Sequence, residues 1–418
     1  MVMLMGKLNV ELYGTLLGSL TRNAKWFDFT VDTGVFAKYQ IASTIMSLAV
    51  PLNLLYTNAQ KKRCANFFAE LLPEGRNFEW LAQTLPRGDR TLYGMLRKYG
   101  KDIAGALVIY DPEDPASSEK PGAEPVDGAK IRYLLENMPQ APLANSPVSG
   151  KTSLGGIQGK IVLARKDSVW HRVHNGHPST HILKPVVPEF PTMIYDEAFC
   201  MQMAYSSGLT EHPVWIENFN GMDALVIERY DRIKDKRGDR LHQEDFNQVL
   251  GARGSEKYQE FGGKVSAKRI AQTLKRHGNT EDIRKFASQL IFAAAIGNLD
   301  MHAKNASILH FPNETITLSP TYDQVPLRHQ NTDGKMALAI GGEYVHANIS
   351  LMAVASELAS WKCDVFSHES ETIAFIRNCL ENYDRALHNT PADDRAYPKL
   401  KAQISLFISN LLSGKRIG

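Results

Sequence analysis

The chain is expected to be an α+β protein in which a sheet-rich lobe precedes a helical one. Two patterns carry that expectation. Between Lys160 and Glu228 short apolar runs of strand length alternate with turn residues, whereas beyond Gln243 apolar residues recur mostly at helical spacing. No repeat at a fixed period is present, which argues against solenoids and propellers. A length of 418 residues is that of roughly two to three ordinary domains.

Taken in order, Val10 to Tyr110 mixes alternating segments such as Phe27 to Val31 with helical ones such as Asn66 to Leu72 and holds no cluster of reactive side chains. Residues 1–110 therefore read as a small accessory α+β subdomain. Asp111 to Gly128, DPEDPASSEKPGAEPVDG, combines four prolines, two glycines, two serines and six acidic residues. Such a composition marks 111–128 as a linker or exposed loop. Residues 129–232 form the sheet-rich lobe, with strands expected at Lys160 to Ala164, His181 to Pro185, Val214 to Ile216 and Ala224 to Glu228, and a helix at Tyr195 to Tyr205. In 233–418 the best helices are Glu281 to Gly297, Leu351 to Trp361, Glu371 to Leu387 and Leu400 to Leu412.

Composition narrows the class. With 43% hydrophobic and 22% charged residues, 48 Lys+Arg against 45 Asp+Glu, the chain is globular and nearly neutral, without the basic excess of a nucleic-acid binder. Cys64, Cys200, Cys363 and Cys379 lie far apart with no C-x-x-C pair, so neither a disulfide scaffold nor a zinc ribbon is expected. The stretch Met1 to Val10 lacks the pattern of a secretory leader, and the apolar run Leu290 to Ile296 is far too short to span a bilayer. A cytoplasmic protein is the expectation.

The chemistry-bearing segments begin with Asn298 to Asn305, NLDMHAKN, which follows an apolar helix and precedes a strand-like run at Ser307 to Phe311. Asp300 and Asn305 have the Asp-x-x-x-x-Asn spacing of a phosphoryl-transfer loop, where the aspartate takes the acceptor's proton and the asparagine holds Mg²⁺. A polar loop capping a helix would look the same. Two apolar runs, Ser307 to Phe311 and Thr315 to Leu318, flank Pro312-Asn313-Glu314 as a hairpin would, and this turn back of the chain can deliver Asp323 as a second metal carboxylate. Upstream, Ser153 to Lys160, SLGGIQGK, lets backbone N–H groups approach phosphate oxygens; it fits neither a Walker A loop nor a dinucleotide fingerprint, and a plain glycine-rich hairpin is the alternative. Lys184 ends an apolar strand, HILKP, where it could pair with phosphates and be held by Glu197 on the next helix. Glu228 to Arg232, ERYDR, suits a strand leaving the core into a hinge, or any edge strand. His171, His174, His177 and His181 crowd into eleven positions, but Gly176 and Pro178 break their register and a metal site is not expected. Lys234 to Arg240, KDKRGDR, reads as a solvated turn.

Together these segments resemble the HipA-like serine/threonine kinases, toxins of bacterial type II toxin–antitoxin modules. The matching pieces run in one order: SLGGIQGK at Ser153, THILKP at Thr180, DEAFC at Asp196, ERYDR at Glu228, HQEDF at His242, KYQEFGG at Lys257, DMHAKN at Asp300 and SPTYD at Ser319. The resemblance implies a two-lobed protein-kinase-like fold with an all-helical C-terminal lobe, transferring the γ-phosphoryl group of ATP with Mg²⁺ to a protein serine or threonine. By position, Asp300 is the catalytic aspartate, and Asn305 and Asp323 are the Mg²⁺ ligands. ATP would be bound by Ser153, Leu154, Gly155, Gly156, Ile157, Gln158, Gly159, Lys160 and Lys184, with Glu228, Arg229 and Tyr230 as the adenine-facing hinge and Gln243 and His302 near it. Ser153 is implied as a site of inactivating autophosphorylation. Gly159 and Asp196 depart from the residues common in the family, a bulkier side chain and Asn, without touching the expected chemistry. The resemblance further implies a helix-turn-helix antitoxin as partner, DNA contact mainly through that antitoxin, and a translation-related target such as an aminoacyl-tRNA synthetase, with growth arrest and persistence as outcome. A small-molecule phosphotransferase, or a non-enzymatic co-repressor acting with the antitoxin, would use the same residues.

Overall fold

The computed structural model describes residues 6–23, 26–115, 119–137, 159–233 and 240–418. Most of the glycine-rich segment, Ser153 to Gln158 with the expected autophosphorylation site, lies outside the described residues, as do positions 234–239 of the KDKRGDR turn. Among the described residues the strands form four antiparallel sheets.

The accessory region comprises β1 (Lys7–Leu12), β2 (Thr15–Arg22), β3 (Phe27–Val31), α1 (Asn58–Glu70), α2 (Gly75–Gln83), α3 (Leu92–Tyr99) and β4 (Leu107–Tyr110), with sheet order β3-β2-β1-β4. Alternation along β1 buries Leu8, Val10 and Leu12 and turns Lys7 outward. The helix α1 opens with a capping box, Thr57 with Gln60, and packs Phe67 and Phe68 onto the sheet, Phe68 meeting Phe29 at 5.4 Å between ring centres.

The next lobe holds β5 (Gly122–Pro125), α4 (Gly128–Glu136), β6 (Ile161–Lys166), β7 (Val169–His174), β8 (His181–Pro185), α5 (Met193–Ser206), β9 (Val214–Phe219) and β10 (Met222–Glu228). Its six-stranded sheet runs β5-β7-β6-β8-β10-β9. The 111–128 segment is thus more than a linker: residues 122–125 pair with β7 as an edge strand, Ala123 opposite Val173, a place where proline and charge are tolerated. In β8, Lys184 stands opposite Leu225 of β10, and Leu225 packs with Ile194, Tyr195 and Ala198 of α5. Strand alternation therefore aims Lys184 at α5 and Leu183 at the opposite core.

The remaining elements are β11 (His242–Asp245), α6 (Phe246–Val249), α7 (Ala267–His277), α8 (Thr280–Ile296), β12 (Ser307–His310), β13 (Ile316–Leu318), β14 (Lys335–Ile340), β15 (Glu343–Val345), α9 (Leu351–Ser360), α10 (Glu369–Asn389) and α11 (Leu400–Leu412). Expected to be all helical, this lobe also carries the sheet β11-β12-β13 and the pair β14-β15. The centre is α8, whose run Leu290 to Ile296 is wholly buried against α7, α10 and α11. Asn279 and Asp282 form its capping box, and Gly297 ends it at φ 74°, where a Cβ would come within 2.8 Å of the Arg328 Cβ. No helix among the described residues is long and apolar enough to cross a membrane.

Arg240, the described end of the KDKRGDR turn, has a side chain only 8% exposed and pairs with Asp102 at 3.2 Å while donating to the Gly176 carbonyl; it joins the lobe to the accessory region instead of facing solvent. The four histidines go separate ways: His171 to the Val169 carbonyl, His174 toward Glu124, His177 to the Pro178 carbonyl and His181 to the Thr180 hydroxyl.

Candidate active site

The structure brings Lys184, Glu197 and Asp323 together, although they come from a strand, a helix and a loop. Lys184 Nζ donates to Glu197 Oε1 at 2.8 Å and Oε2 at 3.0 Å, and to Asp323 Oδ1 at 3.0 Å. Glu197 is fully buried on α5. Burial alone would discharge the lysine, but the two carboxylates outweigh it and raise its pKa. For Asp323 burial pushes upward and is overcome by Lys184, which holds the carboxyl below its usual range. Burial prevails at Glu197 and raises it.

Asp323 has φ 54°, a left-handed conformation that costs a non-glycine residue on the order of 1 kcal/mol or more. Its surroundings impose it. The buried Asn298 donates to the Asp323 carbonyl at 3.4 Å and to Gln324 Oε1 at 3.2 Å, while its own Oδ1 accepts from the Asp300 N–H at 3.0 Å. One amide thereby ties the Asp300 loop to the Asp323 segment. The Tyr258 hydroxyl donates to Asp300 Oδ1 at 3.1 Å, and Asn305 Nδ2 donates to the Asp300 carbonyl at 2.9 Å. His302 Nε2 lies 3.8 Å from Asp300 Oδ2; its Nδ1 is buried without a hydrogen-bond partner. Burial, and then the charge of Lys257, pushes that imidazole well below its usual pKa, so it is neutral at pH 7.

Tyr230 stacks on Tyr322 with ring centres 5.2 Å apart and donates its hydroxyl to Gln243 Oε1, which seats the expected hinge beside the Asp323 segment. The Tyr322 hydroxyl in turn donates to the Lys304 carbonyl at 2.7 Å. The other hinge residues turn elsewhere: the Glu228 N–H donates to the Pro213 carbonyl, and the Arg229 guanidinium grips Asp231 at 2.8 and 2.9 Å, the Ser179 hydroxyl and the Ile103 carbonyl. Gly159 and Lys160 lead into β6, with Lys160 exposed. Asn298, Tyr258 and Tyr322 received no role from sequence reasoning, although each lies in or beside a quoted motif, NLDMHAKN, KYQEFGG and SPTYD.

As a donor set, Asp323 and Asn305 are hard oxygen ligands, the kind Mg²⁺ takes in ones and twos together with phosphate oxygens. The ionised state of Asp323 suits that task. Among the described residues no three His, Cys, Asp or Glu side chains cluster as a metal cage.

A strand lysine braced by a helix glutamate, facing a carboxylate that follows a hairpin and a loop of Asp-x-x-x-x-Asn form, defines a phosphotransferase of the protein-kinase type. Comparison with known proteins agrees: residues 152–387 match the HipA-like C-terminal domain and residues 8–110 the HipA N-terminal domain. Y4mE of Sinorhizobium fredii, a kinase by name, is 35% identical over 293 residues, 67% of this chain and 69% of its own. The serine/threonine-protein kinase toxin HipA of Shewanella oneidensis is 26% identical over 351 residues, 78% of each chain. The fold matches that of HipA from the Shewanella oneidensis HipA, HipB and operator DNA complex with a TM-score of 0.80 at 21% identity, covering 97% of this chain and 96% of that one. This chain belongs to the HipA-like kinase family.

Proposed function

We propose that this kinase uses ATP and Mg²⁺ to phosphorylate a serine or threonine of a protein substrate, and that it acts as the toxin of a toxin–antitoxin pair. The observation that supports this best is the single buried lysine shared by Glu197 and Asp323, with Asn298 joining Asp323 to Asp300. Asp300 accepts the proton of the acceptor hydroxyl, its carboxylate oriented by Tyr258. Asp323 and Asn305 hold Mg²⁺, and Lys184, fixed by Glu197, meets the nucleotide phosphates. Bound ATP supplies the phosphoryl group, and the chain's part is positioning and charge neutralisation. The backbone beside Tyr230 borders the adenine.

In this reading Ser153 is an autophosphorylation site. A phosphate there adds about −1.5 to −2 charge to the loop meant for ATP and expels one or the other by repulsion. A DNA-binding antitoxin is the proposed partner, as HipB accompanies HipA in the related complex, and DNA is reached mainly through it. A translation-related protein is the proposed substrate and the cytoplasm the proposed location.

Incubating the purified chain with labelled ATP, Mg²⁺ and cell lysate tests the reading. Wild type is expected to label itself and a lysate protein, with Asp300→Asn losing about 10²- to 10⁴-fold in rate and Ser153→Ala losing self-labelling. No labelling by wild type overturns the active kinase. Calorimetry on Asp323→Ala is expected to show loss of Mg²⁺-dependent nucleotide binding, and unchanged affinity would remove its metal role. Growth arrest on expression, relieved by Asp300→Asn, separates toxin from co-repressor.

A further inference from the structure

The accessory region reaches the active-site loop through two carboxylates. Lys304, inside the Asp300–Asn305 loop, donates to Glu70 Oε2 at 2.8 Å and to Glu74 Oε1 at 2.8 Å. Lys257, whose neighbour Tyr258 holds Asp300, donates to Glu74 Oε2 at 3.2 Å. Glu70, at the end of α1, has a side chain only 3% exposed and also accepts from Asn247 Nδ2 at 2.9 Å and the Gly254 N–H at 3.0 Å. Docking alone would be served by contacts anywhere along the interface, such as the pairing of Ser43 with Glu314 or of Leu48 N–H with Glu244. The two glutamates instead grip the two lysines that flank the aspartate and its tyrosine.

We propose that Glu70 and Glu74 are positioning residues for the phosphoryl-transfer loop: from another region of the chain they supply the anionic anchor that a phosphate on an activation segment supplies in switchable kinases. The accessory region is then part of the enzyme, and anything that prises it away disarms the loop without touching the nucleotide. The inference rests on the kinase reading above.

The decisive comparison uses the full chain as wild type, Glu74→Gln, Lys304→Met and Lys304→Arg. Glu74 is the milder position, its side chain being 23% exposed. For Glu74→Gln and Lys304→Met, kcat is expected to fall about 10- to 100-fold, since a small misplacement of reacting groups has that effect. The nucleotide Kd should stay within about twofold, because uniform binding is untouched, and Lys304→Arg should retain most of the activity. Amide exchange should quicken over residues 298–305. Unchanged kcat in the folded variants, or faster exchange confined to residues 70–74 and 254–257, overturns the proposal. If wild type itself transfers no phosphate, the kinase reading fails, and exchange at 298–305 still decides whether the glutamates position the loop.

Discussion

Two buried ion clusters border the same loop, and they are built on different principles. At the Lys184 end, one lysine bonds both Glu197 and Asp323, and the charge of Lys160 acts on the same two carboxylates. At the accessory end, Lys304 and Lys257 meet Glu70 and Glu74, two for two. The first gathers two carboxylates around one shared lysine, and its aspartate sits in a left-handed backbone conformation. The second is closed, with Glu70 further satisfied by an amide and a backbone N–H. The first cluster joins a strand, a helix and a loop at one lysine, and the second joins the accessory region to the Asp300–Asn305 loop.

Breaking the cations in turn tests that contrast. Lys184→Met strands two carboxylates that are buried together, and should cost about 3–5 kcal/mol of unfolding free energy along with nucleotide affinity, as read by urea melts and calorimetry. Lys304→Met should cost less, about 1–3 kcal/mol, because Glu70 keeps Asn247 and Gly254 and Glu74 keeps Lys257; a larger loss here than at Lys184 would reverse the ranking of the two clusters.

Titration sharpens the contrast further. Lys304, then Lys257, overcome burial and hold Glu74 far below the usual carboxylate range. Its contribution is therefore fully present above the unfolded pKa of about 4.3 and is lost as pH falls below that, toward the depressed folded pKa. Asp245 shifts the other way, to about 7, because burial and the charges of Glu70 and Glu74 outweigh Lys304. The folded chain then binds a proton at Asp245 that the unfolded chain releases near 3.9, and stability falls as pH rises from there toward 7. Asp245→Asn, which keeps the N-cap of α6, should flatten that slope and stabilise the chain by on the order of 1 kcal/mol at pH 8, measured as urea midpoints at pH 5 and 8.

The nucleotide cluster was legible because each member sits in its own short pattern: HILKP for Lys184, the helix after it for Glu197, and the hairpin return for Asp323. The accessory cluster was not. Glu70 ends an amphipathic helix and Glu74 precedes another, in a region without any reactive pattern, and each pairs with a lysine about 180 to 230 positions away. Helices α8 and α11 follow their apolar spacing closely, whereas β5 hid in a proline-rich acidic stretch, because an edge strand needs neither an apolar face nor all of its N–H groups. In the helical lobe the β12-β13 hairpin was foreseen from the runs Ser307 to Phe311 and Thr315 to Leu318, whereas β15 has too few residues to show a period.

By itself the sequence determined the local matters: most of the longer helices and core strands, which residue types are offered for phosphoryl transfer, and in what order along the chain. Those follow from side-chain periodicity and spacing, which act over a few residues. Only the tertiary structure decided that Lys184 is shared between Glu197 and Asp323, that Asn298 joins two loops, and that the accessory region's glutamates hold Lys304. Ion pairs and single-amide bridges act across space at about 3 Å, and no local pattern records which distant partner the folded core will bring within that reach.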